Sequence, residues 1–297
     1  MNKKIKKVLI ITKQVALDYY KKEYKTKNPE KLKKILKEKR LNAKELLREH
    51  NTHYNTLEIV KRTLAKNKIK YKIATKSKLK PSDFKNIDLI MPVGGDGTFI
   101  EASDYIYDSR LIFGVNSDLK RSKGFFMCAN SKNFKKLFKK FLQNKYKIQK
   151  FSRPEAMVYN EETCRFLAVN DIFVGKPKST QMARYYIKTD NQSEYQQSSG
   201  IVISSKDGAK AWLMNIKGSK SFKNHEKELQ FINREPKNMG KHYKLNQGFA
   251  KKITIKSDDY NMIVSIDGSE GPFLFDLNKG HKVIIRLSKN PLRVVKF

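Results

Sequence analysis

The chain has 297 residues and 39% hydrophobic content, which is enough for two domains with buried cores and excludes disorder throughout. Its formal net charge is +35, but 53 of its 64 basic residues are lysines spread along the whole length. Because base recognition and bidentate phosphate binding favour arginine, we interpret this charge as a solvated surface that attracts small polyanions, and we expect no specific nucleic-acid partner.

Signals for secretion and for membrane insertion are weak. The apolar run near the start, "VLIIT", is five residues long before a lysine ends it, and the sequence has no apolar run of 18 residues. The two cysteines, Cys128 and Cys164, form no CxxC pair and no Cys/His cluster. These features predict a cytoplasmic protein in a reduced compartment, with no membrane contact, no disulfide framework and no zinc site.

The first half of the chain predicts an α/β domain with an open, Rossmann-like sheet. Apolar runs at 8–12, 70–75 and 87–93 are typical of strands, and the first and third have the composition of buried ones. Between them, "PEKLKKILKEKR" and "AKELLREHNTHYNTLEIVKRTLAKN" carry apolar residues at helical spacing. On the second helix, one apolar face is expected to comprise Leu46, Leu47, Leu57, Val60 and Leu64.

Further helices are predicted at 99–107 and 133–144, with a strand at 111–116. Beyond residue 150, short apolar segments alternate with polar turns, which predicts a β-rich, sandwich-like domain. The expected strands there are "EAMVYN", "RFLAVNDIFVG", "ARYYIKTD", "SGIVISS", "KKITIKS", "MIVSIDG", "FLFDL" and "HKVIIRLS". We therefore expect domains at 1–148 and 149–297, and the last residues, "PLRVVKF", can return to the first domain as a strand.

A glycine-rich turn, "GGDGT" at 94–98, follows the third predicted strand. It is not a Walker loop, because no GKS or GKT follows, and Ile100 stands where a dinucleotide fingerprint has its third glycine. Glycines after a buried strand let the backbone approach a ligand, and the N–H groups at a helix start bind anions. An acid in such a turn, Asp96, suits Mg²⁺ binding or acceptance of a proton from an attacking hydroxyl.

The competing interpretation of Asp96 is a turn residue that bonds its own backbone or caps the following helix. Its place after a buried strand favours a functional role, because open α/β sheets bind ligands at the carboxyl ends of their strands.

The glycine turn gives the chain a resemblance to kinases, since GGDGT after a hydrophobic strand is shared by NAD kinases and by diacylglycerol and sphingosine kinases. "IFGVNSD" at 112–118, "AVNDIFVG" at 168–175 and "SSGIVISSKDGAKAW" at 198–212 follow the order of blocks in the NAD kinase family. "LLREHNTHYNTLEIVKRTL", "GVNSDLKRSKG", "DGAKAW" and "FINREP" are similar to the mitochondrial type. The resemblance covers most of the chain and implies an α/β domain followed by a β-rich domain.

The activity that this resemblance implies is phosphoryl transfer from ATP, or from polyphosphate in some members, to the 2′-hydroxyl of the adenosine ribose of NAD. Asp96 would orient and deprotonate that hydroxyl, and Mg²⁺ would come with the substrate phosphates, so no metal ligand is assigned. The phosphates of ATP would bind at Gly94, Gly95, Gly97 and Thr98. NAD would contact Asn116, Phe125, Asn170, Asp171, Asp207, Lys210, Ala211, Trp212 and Asn215.

Considered without the resemblance, several of these residues have simpler interpretations. Asn116 is equally typical of a turn at a strand end, and the Asn170–Asp171 pair is more typical of a turn than of a binding site. Trp212 could equally be a core residue. Asp207 and Ala209 depart from the commonest family pattern, which has hydroxyl residues there, so the Asp207 carboxylate would bind Mg²⁺ or weaken the affinity for phosphate.

Two further features have structural interpretations. His50 and His53 stand at helical i, i+3 spacing, and because no third ligand is near in sequence we interpret them as helix-end or surface residues. The Asp267–Gly268 pair in "SIDGSEG" is typical of a type I′ hairpin turn.

We expect an NAD kinase that binds NAD and ATP and forms a homodimer or a higher homo-oligomer. One alternative is a lipid kinase of the diacylglycerol or sphingosine class, whose basic surface would be attracted to anionic membranes. A lipid kinase does not account for Asn170–Asp171 or "DGAKAW". The other alternative is an inactive nucleotide-binding homologue.

Overall fold

The fold was examined in a computed structural model that describes residues 5–26, 28–178, 180–237, 243–269 and 271–297. The chain divides into an N-terminal unit, Met1–Gln149 with Arg293–Phe297, and a C-terminal unit, Lys150–Leu292. The α-helices are α1 (Ala16–Glu23), α2 (Pro29–Glu38), α3 (Ala43–Lys66), α4 (Asp96–Ser103) and α5 (Phe134–Leu142). The first strands are β1 (Lys7–Thr12), β2 (Lys70–Thr75), β3 (Leu89–Gly94), β4 (Leu111–Ile112), β5 (Val115–Asn116), β6 (Ala129–Asn130) and β7 (Lys147–Phe151).

The remaining strands begin at residue 154. They are β8 (Pro154–Tyr159), β9 (Thr163–Leu167), β10 (Asp171–Gly175), β11 (Ala183–Lys188), β12 (Ser193–Ser198), β13 (Gly200–Ser204), β14 (Leu229–Arg234), β15 (Gln247–Ala250), β16 (Lys252–Ser257), β17 (Ile263–Ile266), β18 (Leu274–Asp276), β19 (Lys282–Leu287) and β20 (Leu292–Lys296). Of all twenty strands described, the sequence predicted most and missed β6, β7, β12, β14 and β15.

The N-terminal unit is built on one sheet with the strand order β2-β1-β3-β4-β20-β7, in which β5 pairs with β3 and β6 with β5. Strand β1 is parallel to β2 and to β3, with Ile10 opposite Ile73 and Met91. Strand β20, from the end of the chain, lies parallel to β4. The predicted α/β domain with an open parallel sheet is therefore confirmed.

Helix α5 shows how an amphipathic sequence builds this unit. Phe134, Phe138 and Phe141 recur at i, i+4 and i+7 and are buried, whereas the lysines between them face solvent. Their rings surround Phe113, which is fully buried, with edge-to-face centroid distances of 5.5 to 5.9 Å. This aromatic cluster joins β1, β3 and α3 in one hydrophobic core.

Helix α3 begins at a capping residue, since the Asn42 side chain accepts a hydrogen bond from the Glu45 N–H at 3.0 Å. Four of the five leucine and valine residues predicted for its inner face are buried or half-buried, but Leu47 is 53% exposed. The prediction for Leu47 was wrong because ten residues separate it from Leu57, which at about 100° per residue turns its side chain roughly 80° off that face.

The surface interpretation of the two histidines was also wrong. Both lie in the middle of α3, and His53 is fully buried. Its burial, and then the charge of Lys13, lower the pKa of His53 to about 4. His50 is half-buried, with Nε2 3.3 Å from a carboxylate oxygen of Asp18. A periodic pattern places residues around a helix but does not show which polar side chains find partners inside the protein.

Several elements differ from the predictions, and two of these differences lie at the candidate site. Helix α4 begins at Asp96 rather than at residue 99 and ends at Ser103. The strand expected at 111–116 is two short strands, β4 and β5, with a break at Phe113–Gly114. Helix α1, at 16–23, was not predicted.

The C-terminal unit consists of two six-stranded sheets, and neighbouring strands in both sheets are antiparallel. Their strand orders are β15-β14-β13-β10-β17-β18 and β12-β11-β16-β19-β8-β9. Strand β11 alternates buried and exposed residues, and the hydroxyl of its buried Tyr185 donates to Asn233 Oδ1 on β14 at 3.2 Å. This bond links one sheet to the other, and the predicted β-rich, sandwich-like domain is confirmed.

The segment "RFLAVNDIFVG" is two strands rather than one. Strands β9 and β10 belong to different sheets, and Ala168, Val169 and Asn170 separate them. None of the described helices combines the length and the apolar character that a membrane span requires.

Replacing Phe113 by alanine is expected to lower the free energy of unfolding of the N-terminal unit by about 3–5 kcal/mol, because it leaves a cavity among the rings of α5. The change can be measured by denaturant unfolding followed by helical circular dichroism, since the described α-helices all lie in that unit. Leu47→Ala is the control, and we expect it to change stability by less than about 0.5 kcal/mol. Equal losses in the two variants would contradict this assignment of the core.

Candidate active site

The glycine turn joins the end of β3 to the start of α4. A Cβ at Gly94 would collide with the side chain of Thr98, and one at Gly95 would lie 3.1 Å from Cβ and Oγ of Ser122. A Cβ at Gly97 would meet nothing within 4 Å. Close packing therefore requires glycine at position 94 and leaves little room at position 95, whereas open space lies beside Gly97 in the first turn of α4. Thr98 is only 3% exposed.

The carboxylate of Asp96 is held by the loop that follows β5. Its Oδ1 accepts the N–H of Phe126 at 3.0 Å, and its Oδ2 accepts the N–H of Phe125 at 3.1 Å and the hydroxyl of Ser122 at 3.3 Å. The N-cap of α4 is Gly95, so Asp96 neither caps that helix nor bonds its own turn. A carboxylate offers about four acceptor positions, so these bonds leave room for one substrate hydroxyl.

We call residues 117–126 the Asp96-holding loop. The Asn116 side chain braces its start by donating to the Ser122 carbonyl at 2.9 Å and accepting the Asp118 N–H at 2.9 Å. Asn116 is 3% exposed, so the structure shows the strand-end turn that was one of its two interpretations. At the other end, the ammonium of Lys296 donates to the Phe125 carbonyl at 3.0 Å, and the Phe125 side chain is 50% exposed.

In the C-terminal unit, the break between β9 and β10 is fixed by Asp267. Its carboxylate accepts the N–H groups of Val169 and Asn170 at 2.7 Å and of Asp171 at 3.0 Å. Asp267 and Gly268 have φ of 52° and 69°, which confirms the predicted type I′ turn. The turn was predicted from the sequence, but the hydrogen bonds between the Asp267 side chain and a distant loop were not.

Two further segments contact the same break. A Cβ at Gly208 would overlap the carbonyl groups of Val169 and Asn170, so only glycine fits there. The hydroxyl of Ser204 donates to the Asn170 carbonyl. The predicted segments 168–171 and 204–208 are thus neighbours in space, and the Asn170 side chain remains half-exposed.

Asp171 is 4% exposed. Burial, and then the negative charge of Asp267, raise the pKa of Asp171 to about 7, although the backbone N–H of Trp212 near its carboxylate lowers this pKa slightly. Burial also raises the pKa of Asp267, whereas its three N–H bonds and the charge of Arg153 lower it. Because Asp267 has the stronger set of donors, we assign the negative charge of this pair to Asp267.

The Trp212 ring is half-buried at the margin of a small hydrophobic cluster. It lies 5.6 Å from the Phe173 ring, and the guanidinium of Arg234 lies 5.2 Å from its centroid. The other residues predicted from this segment, Lys210, Ala211 and Asn215, are exposed, and the Asn215 amide donates to the Ala211 carbonyl at 2.6 Å. Trp212 therefore has both a packing role and a solvent-accessible part.

The two departures from the commonest family pattern have structural explanations. The Asp207 carboxylate accepts both the N–H and the hydroxyl of Ser152 at 2.7 Å, which fixes the chain before β8. Ala209 is 1% exposed within the cluster beneath Trp212, where an unbonded hydroxyl would be unfavourable. The predicted contact of Asp207 with NAD stays a prediction.

Sequence reasoning missed several residues that shape these segments. Ser122 and Arg234 lie inside segments that resemble the mitochondrial type of NAD kinase. That resemblance could have indicated them as candidate site residues. Lys296, Asp267 and the buried Arg153, which donates to the Leu167 carbonyl at 2.8 Å, act across long sequence separations that no local pattern indicates. In the parts of the chain that the structure describes, no three His, Cys, Asp or Glu side chains form a group that could hold a metal ion.

No protein-family model matches the chain. A solved structure of an NAD kinase from Archaeoglobus fulgidus in complex with ATP matches 97% of this chain and 92% of that one, with a TM-score of 0.65 and 16% sequence identity. The chain therefore has the fold of an NAD kinase.

Two curated relatives extend this likeness to the sequence. A rice protein described as "Probable NADH kinase" is 26% identical over 206 residues, and the match spans 62% of this chain and 62% of the rice protein, which is less than two thirds of its length. NAD kinase 2, mitochondrial, from Rattus norvegicus is 21% identical, and the match covers 92% of this chain and 73% of the rat protein. The resemblance to NAD kinases, including the mitochondrial type, is confirmed.

Replacing Asp171 by asparagine is expected to stabilise the protein at high pH. A carboxyl whose pKa is raised on folding from 3.8 to about 7 binds more protons when folded, so stability falls as the pH rises through that window. Asparagine has no such titration. We expect the variant to be more stable by the order of 2 kcal/mol near pH 8, since each pKa unit corresponds to about 1.4 kcal/mol and relaxation reduces the full effect.

This expectation can be checked by thermal unfolding of both proteins at several pH values between about 4 and 8, where the difference should grow with pH. Asp276→Asn, at an exposed position of the same unit, is the control. A difference in stability that does not change with pH would contradict the assignment.

Proposed function

We propose that this protein is an NAD kinase, which transfers the terminal phosphoryl group of ATP to the 2′-hydroxyl of the adenosine ribose of NAD and so forms NADP. The observation that carries the proposal is the Asp96 carboxylate, held by two backbone N–H groups and one hydroxyl at the carboxyl end of β3. The likeness of the chain to NAD and NADH kinases supports the same activity.

In the proposed step, the Asp96 carboxylate accepts the proton of the 2′-hydroxyl. The hydroxyl oxygen forms a bond to the terminal phosphorus of ATP, and the bond between that phosphorus and the bridging oxygen breaks, which releases ADP. Phosphoryl transfer depends mainly on positioning and charge stabilisation, so a single fixed base is sufficient. The bonds to the Asp96-holding loop supply that positioning before the substrate arrives.

The phosphates of ATP bind beside the first turn of α4. Gly94 and Gly95 allow the close packing of the turn, and Gly97 is exposed and leaves space for a bulky anion at the helix start. The hydroxyl of Thr98 forms part of this region from a buried position. Mg²⁺ enters with the phosphates of ATP as part of the donor substrate, and it neutralises negative charge on their oxygens.

Each unit carries residues that are predicted to contact NAD. In the C-terminal unit, the half-exposed amide of Asn170, the buried carboxyl of Asp171 and the ring of Trp212 offer hydrogen bonds and an aromatic face. Lys210, Ala211 and Asn215 present exposed positions next to that ring, with Asp207 in the preceding turn. In the N-terminal unit, Phe125 offers an exposed ring, and Asn116 supports the loop beneath it.

The relatives described above give no support to a lipid kinase or to an inactive homologue. A homodimer or higher homo-oligomer and a cytoplasmic location remain predictions from the sequence. Analytical ultracentrifugation of the purified chain and localisation of a tagged copy would test them.

Asp96→Asn is expected to lower kcat for NADP formation on the order of 10³-fold, because a general base contributes about 10²–10⁴-fold. The asparagine keeps the shape of the side chain but turns its NH2 group toward one of the two backbone N–H donors, so we expect a modest fall in melting temperature, with the fold and the affinity for NAD retained. Asp108→Asn, at an exposed ion pair of the same unit, is the control.

This experiment needs a coupled assay for NADP, run with ATP and then with polyphosphate as the donor, and with NAD and NADH as acceptors. Near-normal turnover of Asp96→Asn would overturn its assignment as the base. If the unaltered protein gives no product with any pair of substrates, the proposed function fails, and phosphorylation of diacylglycerol or sphingosine in vesicles would support the lipid-kinase alternative.

Trp212→Ala is expected to weaken NAD binding about fivefold or more, since an aromatic contact contributes roughly 1 kcal/mol beyond its buried area. Trp212→Phe should retain most of the affinity, and KM for ATP should be unchanged in both variants. Calorimetric titration with NAD would measure the effect, with Tyr260→Ala, at a 67% exposed position of the same unit, as the control. Equal affinity in the alanine variant would show that Trp212 serves only as a core residue.

A further inference from the structure

Helix α3 directs a set of polar side chains toward the ends of β1 and β5. Glu49 is central to this set, with a side chain only 6% exposed. One carboxylate oxygen lies 2.6 Å from Nζ of Lys13, just after β1, and the other pairs with Arg121 in the Asp96-holding loop. A single buried acid thus joins three elements that are far apart in sequence.

Arg48, the preceding residue, makes a second link to the same loop. Its guanidinium donates to both oxygens of the Asp118 carboxylate, at 3.1 and 2.8 Å, and a further pair of bonds to Glu45 holds its plane. Burial alone would raise the pKa of Asp118, but the bonds from Arg48 and from the Lys120 N–H, together with the positive charges of Arg48 and Lys13, outweigh it and the pKa is lowered. A bidentate ion pair of this kind fixes the orientation of the two side chains as well as the distance between them.

His53, one turn further along, makes a third link. Its Nδ1 lies 2.9 Å from the Ser117 hydroxyl and its Nε2 lies 2.8 Å from the Thr12 hydroxyl. Because burial keeps this imidazole neutral at ordinary pH, one ring nitrogen donates and the other accepts. The start of the Asp96-holding loop is therefore attached to α3 at Ser117, Asp118 and Arg121.

The other end of the same loop holds the Asp96 carboxylate through Ser122, Phe125 and Phe126. The two ends are adjacent, since Ser122 follows Arg121 directly, and its N–H bonds back to the Asp118 carbonyl at 3.2 Å. A displacement of the loop at Asp118 or Arg121 would therefore move the donors that fix Asp96.

We propose that Arg48 and Glu49 are positioning residues for catalysis, which hold the Asp96-holding loop against α3 and so fix the carboxylate of Asp96. The proposal rests on the proposed function of Asp96. Neither residue bonds Asp96, and both act through the loop. Buried ion pairs add little net stability compared with apolar side chains of the same volume, so fixed geometry accounts for this charged cluster better than stability does.

The activity test compares Glu49→Gln and Arg48→Gln with the same substitutions at Glu58 and Arg62. This control pair lies on the same helix, bonded at 2.8 Å, but is largely exposed. We expect kcat to fall about tenfold or more in the first two variants, with KM for NAD and for ATP within about twofold, because misplacement of a catalytic group affects the chemical step. The control variants should retain kcat.

The Glu49→Gln substitution should not unfold the protein. The partners of Glu49 are 19% and 49% exposed, so Lys13 and Arg121 can regain water when the carboxylate is removed. Arg48→Lys keeps the positive charge but loses the bidentate pair with Asp118. The kcat of this variant should lie between those of Arg48→Gln and the unaltered protein. A kcat of Arg48→Lys no higher than that of Arg48→Gln would contradict a role in geometry.

A double-mutant cycle identifies the residue through which Glu49 acts. If Glu49 serves only to fix Asp96, then adding Glu49→Gln to Asp96→Asn should not lower kcat further. Losses that multiply in the double variant would overturn the proposal, as would an unchanged kcat in Glu49→Gln.

A measurement without substrate separates this proposal from the proposed function. Hydrogen exchange of the Phe125 and Phe126 amides should be faster in Glu49→Gln than in the unaltered protein, and unchanged in Glu58→Gln. Unchanged exchange in Glu49→Gln would overturn the link between α3 and the loop. If exchange accelerates while the unaltered protein forms no NADP, the link stands and the proposed function fails.

Discussion

The carboxylate of Asp96, held by the backbone of a distant loop, is the constraint on which the candidate site depends. Strand β3 delivers Asp96 to the carboxyl edge of the sheet, but the bonds from Ser122, Phe125 and Phe126 set the direction of its side chain. The loop is in turn braced by Asn116, by Lys296 from the end of the chain, and by the charged residues of α3. The proposed role of Asp96 as a base depends on this kind of fixed geometry, because a base must meet the substrate hydroxyl at hydrogen-bond distance.

The C-terminal unit uses the same physical device at a different place. Asp267 accepts three consecutive N–H groups and so shapes the break between β9 and β10, where Asn170 and Asp171 lie. The consequence is electrostatic as well as geometric, because the charge that Asp267 keeps disfavours a second charge on the buried Asp171. Asp171 can therefore act as a hydrogen-bond donor near neutral pH, which suits contact with an acceptor on a nucleotide or its ribose.

The departures at Asp207 and Ala209 also have a place in this arrangement. The Asp207 carboxylate is hydrogen-bonded to Ser152, and Ala209 packs in an apolar cluster beneath Trp212. Both residues are accounted for by the packing of the chain, so they are not by themselves a sign of lost activity.

The sequence by itself determined the two-unit organisation, most of the strands and helices, and the residues of the glycine turn, because local periodicity and turn chemistry depend on neighbours along the chain. The same local information could not show that Leu47 faces solvent, that His53 is buried, or that "RFLAVNDIFVG" divides between two sheets. Only the tertiary structure decided which backbone groups hold Asp96 and Asp267, and which charges of α3 face the loop. Those contacts join residues 26 to 98 positions apart, and their partners are selected by the packing of whole elements, a property that no short window of sequence contains.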